Sequence, residues 1–97
     1  MNNTKIKSKT LEEILEESGI SPNSNSQLVL WNDDHNSFEW VILCLHTLLS
    51  FTLENAEKTA WNVHLLGKDV IKSGSKESLM PYKKLLEERG LTVTIEE

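Results

Sequence analysis

The stretch Leu28-Val29-Leu30-Trp31-Asn32-Asp33-Asp34 sets the organisation of this chain of 97 residues. Its four apolar or aromatic residues predict a strand that covers residues 27–31. The three residues that follow carry oxygen acceptors, and an ionised carboxylate has no hydrogen to donate. Because a strand end holds side chains in place, this junction suits a metal ion or a ligand that only donates hydrogen bonds, such as an ammonium group.

A long apolar segment follows the junction and predicts the first helix, over residues 37–50. The segment is apolar on nearly all sides, so we expect it to be the central, buried helix. Asn36 is the expected N-cap, and Glu39 would complete a capping box three residues later.

Thr52 and Gly67 delimit a second helix, as its N-cap and its C′ residue. The apolar residues between them recur at helical spacing. They predict a buried stripe made of Leu53, Ala56, Ala60 and Val63.

The remainder of the chain predicts a strand over residues 68–72, a helix over 76–89 that Gly90 stops, and a closing strand over 91–95. The resulting order is β-α-α-β-α-β. This order is typical of an α+β fold, here a small sandwich in which helices cover one face of a three-stranded antiparallel sheet.

Two parts of the chain differ in composition. Residues 1–26 are dominated by Asn, Ser, Lys and Glu, which predicts a flexible N-terminal extension. Residues 27–97 hold the periodic apolar pattern of a single core domain, which is large enough to fold without disulfides.

Charge and cysteine content exclude several classes of protein. The net charge of −5 argues against nucleic acid as a partner, because phosphate neutralisation needs a basic face. The single cysteine, Cys44, excludes a disulfide framework and indicates a reducing compartment. The longest apolar run is too short to span a bilayer, and the N-terminus has no apolar signal-peptide core, so we expect a cytoplasmic protein without membrane contact.

His64 is the second feature with chemical potential. It borders the apolar stripe of the second helix, where a histidine can direct one ring nitrogen to a cleft. With Asn32 and Asp33 it would form a pocket of acceptors beside an apolar floor, which complements the three donors of an α-ammonium group. The alternative is an edge histidine that only satisfies its own hydrogen bonds.

Metal-dependent and covalent catalysis have less support. A metal site would draw on Asp33, Asp34, His35 and His64, but no HxxxH or HExxH spacing occurs. Cys44 lies in the apolar helix, and no serine stands in a nucleophile elbow. We therefore predict that the chain is not an enzyme and needs no cofactor.

The motifs together resemble the ClpS family, the adaptors that deliver N-degron substrates to Clp ATPase–protease machines. The similarity runs in one ungapped register from residue 28 to residue 71. It rests on the opening stretch, on Phe38-Glu39-Trp40-Val41, on Val63-His64 and on Gly67-Lys68.

This resemblance implies a function and a set of site residues. The protein would bind the free N-terminus of substrates that begin with Leu, Phe, Tyr or Trp, and would dock on the N-terminal domain of a Clp ATPase. The α-amine would be held by Asn32, Asp33 and His64, and the first peptide units would lie near Asp34 and Asn36. The hydrophobic pocket would be lined by Phe38, Val41, Ala60, Val63 and Leu91.

The chain departs from the family pattern at the pocket and in the third helix. Family members usually have Met where this chain has Phe38 and Ala60, which predicts a preference for larger aromatic residues. Glu77 matches a position through which the family docks on the ATPase, whereas Tyr82 replaces a usual Lys. Pro81 predicts a late start or a bend of this helix. The alternative function is therefore a non-catalytic interaction domain of the same fold with a diverged pocket.

Overall fold

The computed structural model describes residues 26–97. The predicted extension over residues 1–26 lies outside this range except for its last residue. Ser26 is 2% exposed and begins the first strand, so this strand starts one residue earlier than predicted.

Three strands and three helices form in the predicted order. The elements are β1 Ser26–Trp31, α1 Phe38–Leu48, α2 Leu53–Leu66, β2 Lys68–Gly74, α3 Lys76–Glu88 and β3 Val93–Glu96. The sheet order is β2-β1-β3, and both pairings are antiparallel. The predicted α+β architecture is confirmed.

The core lies between the sheet and the helices. Leu28 and Leu30 point to the same side of β1, as alternate residues of a strand do, and both are almost fully buried. They join a cluster that also contains Cys44, Leu45, Ala56, Val63, Ile71, Leu79, Leu86, Leu91 and Val93. Residues of the central strand thus pack in one cluster with residues of all three helices. This packing holds β1 in place up to the residues that precede Asn32.

The first helix has a different cap from the one predicted. Ser37 is the N-cap of α1, and its hydroxyl accepts a hydrogen bond from the Trp40 backbone N–H. The prediction of Asn36 with a Glu39 capping box is wrong, because the Asn36 side chain donates to Asp33 and to the Gly90 carbonyl instead.

The prediction that the first helix is central and buried is also wrong. Only Cys44 and Leu45 of α1 are buried, and Leu43 remains 48% exposed. The helix packs mainly against α2 and leaves its other side to solvent. In α2, Ala56, Ala60 and Val63 are buried as predicted, but Leu53 is 60% exposed.

The predicted helix stops are confirmed at the two glycines. Gly67 and Gly90 have φ values of 94° and 88°, which non-glycine residues rarely adopt. Ser75 caps α3, and the helix runs from Lys76 to Glu88 with Pro81 inside it, so the proline does not delay its start. No helix within residues 26–97 is long and apolar enough to cross a membrane.

Candidate functional site

A cavity of about 300 Å³ opens where β1 ends. Its walls come from the loop of residues 32–36, the start of α1 and the last turns of α2. The lining residues are Asn32, Asp33, Asp34, Asn36, Phe38, Val41, Ala60, Val63 and His64. The loop residues and His64 supply the polar part of the lining, which we call the polar end, and the other helix residues supply the apolar part, the apolar end.

Backbone hydrogen bonds hold the end of β1 on both sides. The Asn32 N–H donates to the Gly67 carbonyl at 2.9 Å, and the Trp31 N–H donates to the Thr92 carbonyl at 2.9 Å. Since Gly67 follows directly on α2, the first bond brings Asn32 beside the helix end that carries His64. Two polar residues 32 positions apart in the sequence therefore meet in one cavity.

Asp33 is the most strongly hydrogen-bonded side chain of the site. Its Oδ1 accepts from the backbone N–H groups of His35 and Asn36, at 3.2 and 2.9 Å. Its Oδ2 accepts from the Asn36 amide and the Thr92 hydroxyl, each at 2.8 Å. The side chain is 13% exposed, so its orientation is fixed by four donors of the protein itself.

Two opposing effects act on the pKa of Asp33. Burial is the largest single effect and would raise the pKa, but the four hydrogen bonds, beginning with those from Thr92 and the Asn36 side chain, together lower it below its ordinary value. Hydrogen bonds to a carboxylate favour its charged form. The site therefore holds a negative charge at every physiological pH.

Asp34 adds a second carboxylate with a different environment. Its side chain lies fully in solvent, with only the ring of His35 nearby at 3.5 Å. Within residues 26–97, no lysine or arginine forms an ion pair with Asp33 or Asp34. The negative charge of the polar end is therefore not neutralised by a lysine or arginine of residues 26–97, which favours a cationic ligand.

Helix side chains form the apolar end. Ala60 and Val63 are almost fully buried on α2, and Phe38 and Val41 face them from the first turn of α1. The ring of Phe38 lies 4.7 Å from the ring of Trp61, centroid to centroid, at an angle of 57°. This tilted contact is favourable for aromatic pairs and holds Phe38 at the cavity.

Two of the predicted functional residues do not line this cavity. Leu91 is buried and lines a small adjoining cavity of about 20 Å³, and five residues line both cavities: Asn32, Asp33, Asn36, Val41 and Val63. Glu77 lies exposed in the first turn of α3.

The sequence interpretation missed Thr92 and Trp61. Thr92 donates to Asp33 across 59 positions, and no local pattern announces such a contact. Trp61 could have been found, because it precedes His64 by one helical turn and shares its face. The ring centroids of Trp61 and His64 lie 6.0 Å apart, and the rings meet edge to face.

Metal binding and thiol chemistry gain no support from the geometry. Among the residues that the structure describes, no three His, Cys, Asp or Glu side chains are grouped as a metal would require. Cys44 is buried as predicted, and burial raises the pKa of its thiol although the charge of Arg89 acts in the opposite direction. A thiol in this environment is a poor nucleophile.

Comparisons with known proteins agree on one family. The model of the family described as "ATP-dependent Clp protease adaptor protein ClpS" matches residues 21–94. The ClpS adapter protein of Corynebacterium diphtheriae is 28% identical over 86 residues, which cover 89% of this chain and 76% of that protein. The ClpS adapter protein of Desulforapulum autotrophicum is 31% identical over 77 residues, which cover 79% and 72%.

A solved structure shows the same fold. Agrobacterium tumefaciens ClpS2 bound to L-phenylalaninamide superposes with a TM-score of 0.62 at 21% sequence identity. The match covers 73% of this chain and 93% of that one.

Proposed function

The chain belongs to the ClpS family of Clp protease adaptors, and on this premise we propose that its cavity binds the free N-terminal residue of substrate proteins. As an adaptor it is not an enzyme: it serves the Clp protease by interacting with the ATPase and with substrates. The N-terminal residues proposed as ligands are the bulky hydrophobic ones, Leu, Phe, Tyr and Trp.

The observation that carries the proposal is the pairing of a negative, acceptor-rich end with an apolar end in one cavity. An N-terminal residue has the complementary form, because its ammonium group offers three donors and a positive charge next to an apolar side chain. We assign the ammonium group to Asn32, Asp33 and His64, and the first peptide units to Asp34 and Asn36. The related ClpS2 structure contains an amino-acid amide with a free amine.

The magnitudes of the two contributions suit selective recognition. Burying a Leu or Phe side chain contributes roughly 1.5–3 kcal/mol. Each hydrogen bond to the charged ammonium group contributes about 1.5–3 kcal/mol where water is excluded from it. Asn32 and His64 are exposed in the free protein, so the bound residue itself must cover them. Acetylation removes the charge and two donors and leaves acceptors unpaired, so internal sequences and blocked N-termini are rejected.

The apolar end determines which side chain is preferred. Ala60 leaves the floor of the cavity deep, and Phe38, Val41 and Val63 form walls that can contact a ring. We expect Phe and Trp to be preferred over Leu. Leu91 contributes from behind this surface, through the small cavity that it shares with Val41 and Val63.

The experiment uses fluorescence-polarisation binding of two labelled peptides that differ only in a free or acetylated N-terminal Phe. We expect binding of the free peptide alone, and its loss in the His64→Ala variant. Lys84→Ala, at an exposed position of α3 that does not line the cavity, serves as the control and should bind as the wild type does. Binding of both peptides with equal affinity, or of neither, would contradict the proposal.

Delivery to the ATPase is a separate part of the proposal. Glu77 is exposed in the first turn of α3, and we assign it to docking on the N-terminal domain of a Clp ATPase; residues 1–26 would act as a tether toward the same partner. Glu77→Ala should abolish degradation of a Phe-initiated substrate by the reconstituted protease while peptide binding stays at the wild-type value. Loss of both activities, or of neither, would contradict this assignment. The predicted cytoplasmic location stays a prediction.

A further inference from the structure

Hydrogen bonds join the turn between α3 and β3, residues 89–92, to the loop of residues 32–36. The Thr92 hydroxyl donates to Asp33 Oδ2 at 2.8 Å, and the Asn36 amide donates to the Gly90 carbonyl at 2.8 Å. Trp40 on α1 adds a third connection, from its indole N–H to the Arg89 carbonyl at 3.0 Å. The turn and the loop therefore form one hydrogen-bonded unit.

Within this unit, the acceptor capacity of Asp33 is already used. A carboxylate has about four lone-pair positions, and four donors of the chain occupy them. Three of these donors belong to the loop itself: the His35 N–H, the Asn36 N–H and the Asn36 side-chain amide. Thr92 is the single donor to Asp33 that comes from another part of residues 26–97.

We propose that Thr92 is a positioning residue of the amine site, which orients the Asp33 carboxylate through its hydrogen bond to Oδ2. This inference rests on the proposed function of the cavity. It assigns to Asp33 chiefly the role of a fixed negative charge. The side chains of Asn32 and His64 form no hydrogen bond within residues 26–97, so their acceptor atoms would serve the ammonium group.

The physical reason is the geometry at Oδ2. Without the Thr92 hydroxyl, this oxygen keeps one donor, the Asn36 amide, and that amide also donates to Gly90. The carboxylate plane could then rotate, and its negative charge would lose one of the hydrogen bonds that favour it. Both changes weaken the attraction for an ammonium group.

The test compares Thr92→Val, which keeps the β-branched shape and removes the donor, with Thr92→Ser, which keeps the hydroxyl. Thr94→Val is the matched control, because Thr94 makes its hydrogen bonds with Trp31 and Glu96 and does not line the cavity. Two quantities are measured in the full-length chain: the affinity for a peptide with a free N-terminal Phe, and the NMR titration midpoint of the Asp33 carboxyl group.

We expect Thr92→Val to weaken binding about threefold to tenfold and to raise the titration midpoint of Asp33. Thr92→Ser should restore both values, and Thr94→Val should leave both unchanged. Wild-type binding together with an unchanged Thr92→Val affinity would overturn the assignment to Thr92 and leave the proposed function intact. Failure of the wild-type protein to bind the free peptide would overturn the proposed function, and the role of Thr92 in it, even if the Asp33 midpoint moved.

Discussion

The two ends of the cavity are built by different kinds of contact. At the polar end, a short loop is fixed by hydrogen bonds, four of which converge on Asp33. At the apolar end, side chains of two helices touch without hydrogen bonds, and Phe38 is held by the ring of Trp61. A hydrogen-bonded loop suits one fixed chemical group, whereas an apolar surface changes its shape with a single substitution. Recognition of the amine and preference for a side chain should therefore be separable by mutation.

Asp33→Ala should have the largest effect, because it removes the charge and the acceptor of four donors at once. We expect the affinity for a peptide with a free N-terminal Phe to fall more than tenfold. The free energy of unfolding should also decrease by about 1–3 kcal/mol, since the Asn36 amide and N–H lose their partner. Fluorescence polarisation and urea denaturation measure the two quantities. A folded variant with wild-type affinity would show that the polar end is not the amine site.

Ala60→Met should change the side-chain preference of the apolar end without changing recognition of the amine. Ala60 is 3% exposed and lines the cavity. A Met side chain there would occupy the space into which a ligand ring inserts, and such overpacking costs about 1–3 kcal/mol. Binding of Phe- and Trp-initiated peptides should fall about fivefold or more relative to a Leu-initiated peptide, while rejection of acetylated peptides persists. Glu57→Met, at an exposed position of the same helix, is the control. An unchanged ranking of the three peptides would mean that Ala60 does not set the preference.

The order of the elements was predictable because its signals are local. Thr52, Gly67 and Gly90 act within one turn of their own position, as caps and stops, and the structure has each of them in that role. The burial of α1 was not predictable in the same way. An apolar composition does not say which side a neighbour covers, and Leu43 stays half exposed because α2 packs against the other side.

The residues of the candidate site also differ in whether the sequence could predict their contacts. Asn32 and His64 could be placed in one site because family resemblance links their motifs, although they are far apart in the chain. Asn36 was assigned to a helix cap from its neighbours alone, yet its amide is taken by Asp33 and by Gly90, 54 residues away. The same holds for Thr92, whose hydroxyl reaches Asp33 across 59 residues. Contacts of this length depend on the packed fold and leave no periodic signal.

The acceptor atom of His64 should have a smaller effect at the polar end. A neutral imidazole nitrogen can accept a hydrogen bond from the ammonium group. His64→Gln keeps a neutral acceptor and His64→Ala removes it, so we expect the affinity for a peptide with a free N-terminal Phe to fall less in His64→Gln than in His64→Ala. Fluorescence polarisation measures both affinities. Equal affinities of the two variants would show that His64 is not an acceptor of the ammonium group.

The smallest effect should appear in the pH dependence of the free energy of unfolding, where we compare variants of Asp33 and Asp34. The pKa of Asp33 is lower in the folded state, so the unfolded chain binds the proton more readily. Ionised Asp33 therefore stabilises the fold above the unfolded pKa of about 4, and this contribution is lost as the pH falls through the lower folded value. The advantage of the wild type over Asp33→Asn should accordingly be constant near neutral pH and shrink below about pH 4. Asp34→Asn should show no such trend, because the Asp34 side chain lies in solvent. Urea denaturation of the three proteins from neutral to acidic pH would measure this. Parallel curves for the two variants would mean that the hydrogen bonds around Asp33 do not stabilise its ionised form.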